Sequence, residues 1–168
     1  MKKNHNKTKK IVILVKIERN DEMIQSIING IQTLTSNTSS LVFDDNLRTR
    51  GTCWLCRQDN SPLFKITECG IYEITFNGNV SSATSGTTAL GLYVDGVLIP
   101  STVSIEEIFT AGDYSNLGFT YLVKVCPNGN ANISVGAVPS VLTGTTPTPT
   151  ATEIPIIQNA TLTIKRKA

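Results

Sequence analysis

The sequence predicts an all-β chain: an antiparallel β-sandwich or jelly roll, preceded by a short N-terminal strand and helix. Three observations carry that expectation. Short runs of alternating apolar and polar residues are separated by turn residues, and no strand-helix-strand alternation follows residue 40. Thr, Ser, Asn and Gly are abundant, and 17% of residues are charged, below the roughly one quarter usual in globular domains. The chain is 168 residues long, enough for one domain with its own core and an appendage.

In chain order, residues 1–40 read as an attachment or oligomerisation arm and residues 41–168 as the β-domain. The first ten residues hold five lysines, and Lys165, Arg166 and Lys167 lie at the other end. Setting those eight aside leaves seven basic against thirteen acidic residues, so the body is acidic and the tails are basic. Lysine clusters gain affinity for phosphate, but no arginine-aromatic interleaving accompanies them here, so no nucleic-acid partner is expected. Ile11-Val12-Ile13-Leu14-Val15 is too short for a secretory core, and no stretch is long enough to span a bilayer. No membrane partner is expected.

Residues 11–17 read as a strand. From Glu22 onward, Met23, Ile24, Ile27, Ile28, Ile31 and Leu34 fall at spacings of three and four, which predicts an amphipathic helix with Asn20 or Asp21 as N-cap. Ile24, Ile27, Ile31 and Leu34 also fit a and d positions of a short heptad pattern, which favours three-stranded packing. Thr35-Ser36-Asn37-Thr38-Ser39-Ser40 follows as a polar hinge.

Beyond the hinge, strands are expected at residues 70–76, at 89–94 and 97–99 around an Asp95-Gly96 turn, and at 119–126, 131–138 and 156–164. Asn77-Gly78, Asn128-Gly129 and Pro139-Ser140 are expected to punctuate them. The Thr- and Pro-rich residues 143–155 read as an extended surface loop, with an O-glycosylated linker as the alternative.

Gly70-Ile-Tyr-Glu-Ile-Thr-Phe76, then Leu92-Tyr-Val-Asp-Gly96, then Ala160-Thr-Leu-Thr-Ile164 resemble the C1q/TNF-like jelly-roll domains of spore-surface and phage virion proteins. The resemblance spans roughly residues 63–164 and lacks a preceding collagen-like repeat. With Arg48-Thr-Arg50, Cys53, Trp54 and Cys56 ahead of the domain, the chain also looks like small structural proteins of phages and prophages of gut Firmicutes. The resemblance implies homotrimers that decorate or fibre a particle. It points to a capsid or tail protein as partner and to the virion, assembled in the bacterial host cytoplasm, as location. Apolar residues such as Ile156, Ile157, Leu162 and Ile164 are expected to exceed what the sandwich needs inside.

Cys53, Cys56, Cys69 and Cys126 are candidate structural thiols. A redox Cys-x-x-Cys needs a helix after its first thiol, whereas Arg57-Gln-Asp-Asn-Ser-Pro62 is turn chemistry. Zinc needs four converging ligands, and these four cysteines with His5 offer no close pairing beyond the first two. Disulfides, with three connectivities open, and reduced thiols packed beside Trp54 both remain. Trp54 is expected to cap one end of the core.

Catalysis finds no support. His5, the single histidine, sits in the lysine-rich tail, so no Ser-His or Cys-His dyad has a base. Asp44-Asp45 and Glu106-Glu107 are carboxylate pairs, but adjacent residues on a strand point to opposite faces. Gly86, Gly91 and Gly96 precede no helix and form no phosphate loop. Asp44, Asp45 and Asp59 lack calcium-loop spacing. Neither an enzyme activity nor a cofactor is expected. The favoured reading is a trimeric virion structural protein: capsid decoration, head fibre or tail-associated. The rivals are a surface module binding host glycan or protein, with Phe109 and Tyr114 as loop aromatics, and a spore-coat glycoprotein.

Overall fold

A computed structural model describes residues 22–36, 39–50, 54–57, 61–125, 130–138 and 153–167, with the main chain alone at 47–50. Among the described residues eleven strands run in chain order: β1 (Met23–Thr33), β2 (Asp45–Arg50), β3 (Leu55–Arg57), β4 (Phe64–Ile66), β5 (Gly70–Ser81), β6 (Gly86–Val94), β7 (Val97–Leu98), β8 (Ser104–Ile108), β9 (Ser115–Val125), β10 (Ala131–Ala137) and β11 (Ile156–Arg166). One 3-10 turn, Pro100–Thr102, follows β7. The strands form two sheets. The first has the order β2-β1-β11-β5-β9; the second has the order β3-β4-β10-β6-β7, with β8 also paired to β6. Every named pairing is antiparallel, for example β11 with β5 and β5 with β9, and the architecture is the jelly-roll sandwich expected.

The long strands arise where alternation is cleanest. In β5, Tyr72, Ile74, Phe76 and Val80 face the core while Ile71, Glu73, Thr75 and Asn77 face outward. This period of two puts one apolar face on the core. Fully buried Trp54, Tyr72, Phe43, Phe64 and Phe76 fill the space between the sheets. Phe43 meets Phe64 edge-on at 5.5 Å, and Phe76 stacks on Phe119 at 5.5 Å, geometries favoured by the ring quadrupole. Asn77-Gly78, expected as a turn, lies inside β5. Gly78 is needed there for close approach, because a Cβ would sit 2.9 Å from the Cβ of Ala160 on β11.

The expected helix over residues 22–34 is instead β1, paired along one edge with β11 and along the other with β2. The residues of the arm from Met23 onward therefore belong to the sandwich, although the sequence placed the boundary at residue 40. The physical reason is a degeneracy of spacing. A step of four is one helical turn and also two strand repeats, so Ile24 and Ile28 fit both. A register shift between Ile28 and Ile31, where Gly30 has φ 146°, then changes the phase of alternation as a bulge does. Ile24, Ile28 and Leu34 are buried, whereas Ile27 is half-buried on the outward face and Ile31 is 65% exposed. Isoleucine-rich segments favour the strand because β-branched side chains fit a pleated surface. The expected strand at residues 11–17 and most of the Thr/Pro-rich stretch lie outside the described residues.

The apolar residues expected to be surplus have places inside: Ile157, Leu162 and Ile164 are fully buried, and Ile156 is half-buried.

Candidate functional site

The start of β1 and the end of β11 lie together, and this end of the sandwich is called the base. The main-chain N–H of Arg166 donates to the Glu22 carbonyl at 3.0 Å. The Arg166 guanidinium lies 2.6 Å from Glu68 and 3.5 Å from Glu22, and its Nη2 donates to the Cys69 carbonyl at 3.1 Å. Its hydrogen bond to Glu68 and the neighbouring negative charges hold its pKa up against the opposing effect of burial. Lys167 pairs with Glu73 at 3.2 Å. Beneath this cluster, Tyr72 donates its hydroxyl to the Glu68 carbonyl at 2.9 Å and packs on Trp54 at 4.9 Å. Burial pushes the Tyr72 pKa up, against the pull of Arg166. Trp54 is fully buried and closes the core at the base, and its indole N–H has no hydrogen-bond partner among the described residues.

Cys56 and Cys69 are exposed, so neither is buried beside Trp54 in the way a small hydrophobe would be. Cys56 sits on the outward side of β3 opposite Lys65, and Cys69 immediately precedes β5. Cys53 and Cys126 lie outside the described residues. No group of three or more His, Cys, Asp or Glu placed to hold a metal occurs among the described residues. The adjacent carboxylates split as strand geometry requires: Glu106 is half-buried and accepts a hydrogen bond from the Ser115 hydroxyl, while Glu107 is exposed. Asp44 accepts the Asn29 N–H at 2.8 Å. Among the described residues no helix is long and apolar enough to cross a membrane.

The feature that stands out is the outward face of the five-stranded sheet, which residue-type reasoning missed. Its side chains form rows across β1, β11, β5 and β9. Gln25, Thr163, Thr75 and Thr120 make one row; Ile27, Thr161, Asn77 and Gly118 make the next. Gln158, Asn79 and Asn116 continue toward the far end, the apex. Hydrogen bonds tie the face together, within a row between the Thr75 and Thr120 hydroxyls at 3.1 Å and between rows from the Asn116 amide to Asn77 at 2.8 Å. These rows carry no charge. Charges enter at the row nearest the base, where Met23, Lys165, Glu73 and Leu122 align. Leu122 is 56% exposed and its diagonal neighbour Ile71 is 38% exposed. The signal in the sequence was Thr, Asn and Gln at every second position of the strands, a composition that reads equally well as loop.

The fold and this geometry define the class. The globular domain of zebrafish complement 1qA protein superposes with a TM-score of 0.59 at 11% identity, covering 88% of this chain and 97% of that one. Murine APRIL gives 0.57 at 11%, covering 87% and 100%, and the Eiger TNF of S. frugiperda gives 0.54 at 6%, covering 88% and 94%. The chain has a C1q/TNF-like jelly-roll fold. At these identities the likeness is one of fold. No protein-family model and no curated protein matches the sequence.

Proposed function

We propose that the protein is a homotrimeric, non-catalytic structural component of a phage virion, attached to a capsid or tail protein through the basic residues before Glu22. The observation that carries the reading is the set of uncharged rows across β1, β11, β5 and β9 on the outward face of the five-stranded sheet. Around a threefold axis every side chain near the axis meets two copies of itself, so a charge there is repelled by its own kind and desolvated without a partner. Threonine, asparagine and glutamine escape that cost and hydrogen-bond across the axis. The resemblance of Gly70–Phe76, Leu92–Gly96 and Ala160–Ile164 to C1q/TNF-like domains of virion proteins implies the same association.

Light scattering on the full-length chain tests the oligomer, with a mass three times 18.2 kDa expected and a monomer at micromolar concentration overturning it. Peptide mass spectrometry of purified particles tests the location. The protein should be present in stoichiometric amounts, and its absence there removes the virion reading while leaving the trimer. A second reading, a receptor- or glycan-binding module, is favoured by Phe109, 79% exposed, and Tyr114, 40% exposed. Both lie in the apical loop between β8 and β9. Stacking of a sugar on these rings would appear as glycan-array binding that Phe109→Ala removes.

A further inference from the structure

Among the described residues β9 pairs with β5 alone, over eleven consecutive residues with no register shift. Its other edge presents a row of main-chain N–H and C=O groups with no ladder partner, a template for another strand. Protein edges are usually blunted by proline, bulges, short length or charge. β9 has no proline, and Lys124 is its single charged residue. The flanks of this edge are apolar on both sides. Leu122 and Ile71 are exposed on the outward face, while Phe119 and Tyr121 on the inner face are only half-buried. The opposite edge of the sheet, β2, is six residues long, shifts register against β1 between Gln25 and Ser26, and holds Asp45, Arg48 and Arg50.

Residues 11–17 read Ile-Val-Ile-Leu-Val-Lys-Ile. Six of the seven are apolar and five are β-branched, so as a strand the segment needs apolar contact on both faces. The β9 edge offers that contact. We propose that residues 11–17 of a second copy of this chain add to the sheet as a further strand along β9. The inference rests on the self-association proposed above and names the contact that locks it.

Reach decides which copy donates. Glu22 is fixed beside Arg166, and β11, β5 and β9 stand between β1 and the added position. Four strand spacings amount to about 19 Å. From Glu22 back to Ile17 there are five residue steps, which span at most about 17–18 Å when fully extended. Residues 11–17 as a whole fall short of their own chain's β9 edge, whereas a neighbour's lies open to them, and main-chain hydrogen bonds supply the affinity as in other strand-addition complexes.

Two measurements on the full-length chain test this. In a background with Cys53, Cys56, Cys69 and Cys126 replaced by serine, Ile13→Cys is combined in turn with Asn116→Cys, Thr120→Cys and Lys124→Cys. Mild oxidation should join chains covalently in at least one pair on a non-reducing gel, and in none of the four single variants. Hydrogen exchange is then compared between wild type and Ile13→Asp. Amides in 115–125 should exchange at least about tenfold faster in the variant, with β11 unchanged. An oligomer by light scattering with no interchain bond and unchanged exchange overturns strand addition while leaving self-association standing. A bond formed within one chain also overturns it. A monomer removes both.

Discussion

The two sheets of the sandwich treat their outward faces differently. The six-stranded sheet covers its own back: Ala89 and Gly91 on β6 lie under Leu98, Val103, Ile105 and Val138, which form a second small apolar cluster. This is why β6 is buried on both faces from Thr88 to Leu92. The five-stranded sheet has no such cover among its described neighbours, although β1, β5, β9 and β11 are the longest strands described. One face is finished within the chain; the other presents neutral rows across β1, β11, β5 and β9 and is left bare by the described residues. The difference marks the bare face as the place where another surface belongs, and it can be broken or sharpened experimentally.

The largest effect should come from placing charge on the bare face. Thr163→Lys, or Thr75→Lys on the neighbouring strand, sets like charges against each other around the proposed threefold axis. Such juxtapositions cost several kcal/mol. The trimer should fall to monomers at micromolar concentration by light scattering, with the circular dichroism spectrum retained. Asn132→Lys on the six-stranded sheet should leave the mass unchanged. If both variants stay trimeric, the bare face is not the contact.

A smaller effect is expected where the sheets are pinned internally. Gly78→Ala brings a methyl within 2.9 Å of the Ala160 Cβ and 3.2 Å of the Phe76 ring, and overpacking of this kind costs roughly 1–3 kcal/mol. Ala160→Gly in the same chain should recover part of the loss, giving a favourable coupling in a double-mutant cycle. Additive losses by chemical denaturation would show that the clash is not the cause.

These two positions also show how far the sequence could be read. β5, β9 and β11 were legible because residues such as Tyr72, Ile74 and Phe76 alternate with outward ones, and β6 and β10, buried on both faces over much of their length, because turn residues such as Asp95-Gly96 and Pro139-Ser140 bound their apolar runs. β1 was misread because Ile24 and Ile28 satisfy both periods, and the Gly30 bulge is a tertiary event with no local signature. β8, Ser-Ile-Glu-Glu-Ile, reads as a charged loop until pairing with β6 gives its main chain partners. β3 and β4 are three residues each, too short to show a period. Of the candidate site, the isoleucines were read as one helical face, whereas the strand sends Ile24 and Ile28 into the core and leaves Ile27 on the outward face and Ile31 exposed. The neutral rows were illegible because Thr, Asn and Gln acquire meaning there only when strands from four parts of the chain lie side by side.

Alkaline pH should separate base from face. Burial raises the pKa of Tyr72 and of Tyr93 above the usual 10.0, so both phenols hold their protons more tightly when folded than unfolded. Their contribution is fully present below pH 10 and is lost as pH rises through the raised folded values. Stability should therefore fall above about pH 10. Tyr72→Phe should flatten that fall while removing the bond to the Glu68 carbonyl, a loss of about 1 kcal/mol at neutral pH. An unchanged alkaline slope in Tyr72→Phe would place the titrating group elsewhere.

The smallest effect is expected at the two described thiols. Cys56 and Cys69 are exposed, so neither contributes a buried sulfur contact. Surface substitutions of this kind usually fall within about 0.5 kcal/mol, and Cys56→Ser with Cys69→Ser should leave both the unfolding midpoint and the trimer mass unchanged. The comparison that sharpens this is Cys53→Ser with Cys126→Ser, measured under oxidising conditions. A native bridge from Cys56 or Cys69 to either of those cysteines would make the first double variant lose about 2–4 kcal/mol. The loss would disappear when the wild type is measured in reductant. Equal midpoints with and without reductant, in wild type and in both double variants, would confirm that the cysteines around Trp54 hold nothing together, and that the base is secured by Arg166, Glu68 and Tyr72 instead.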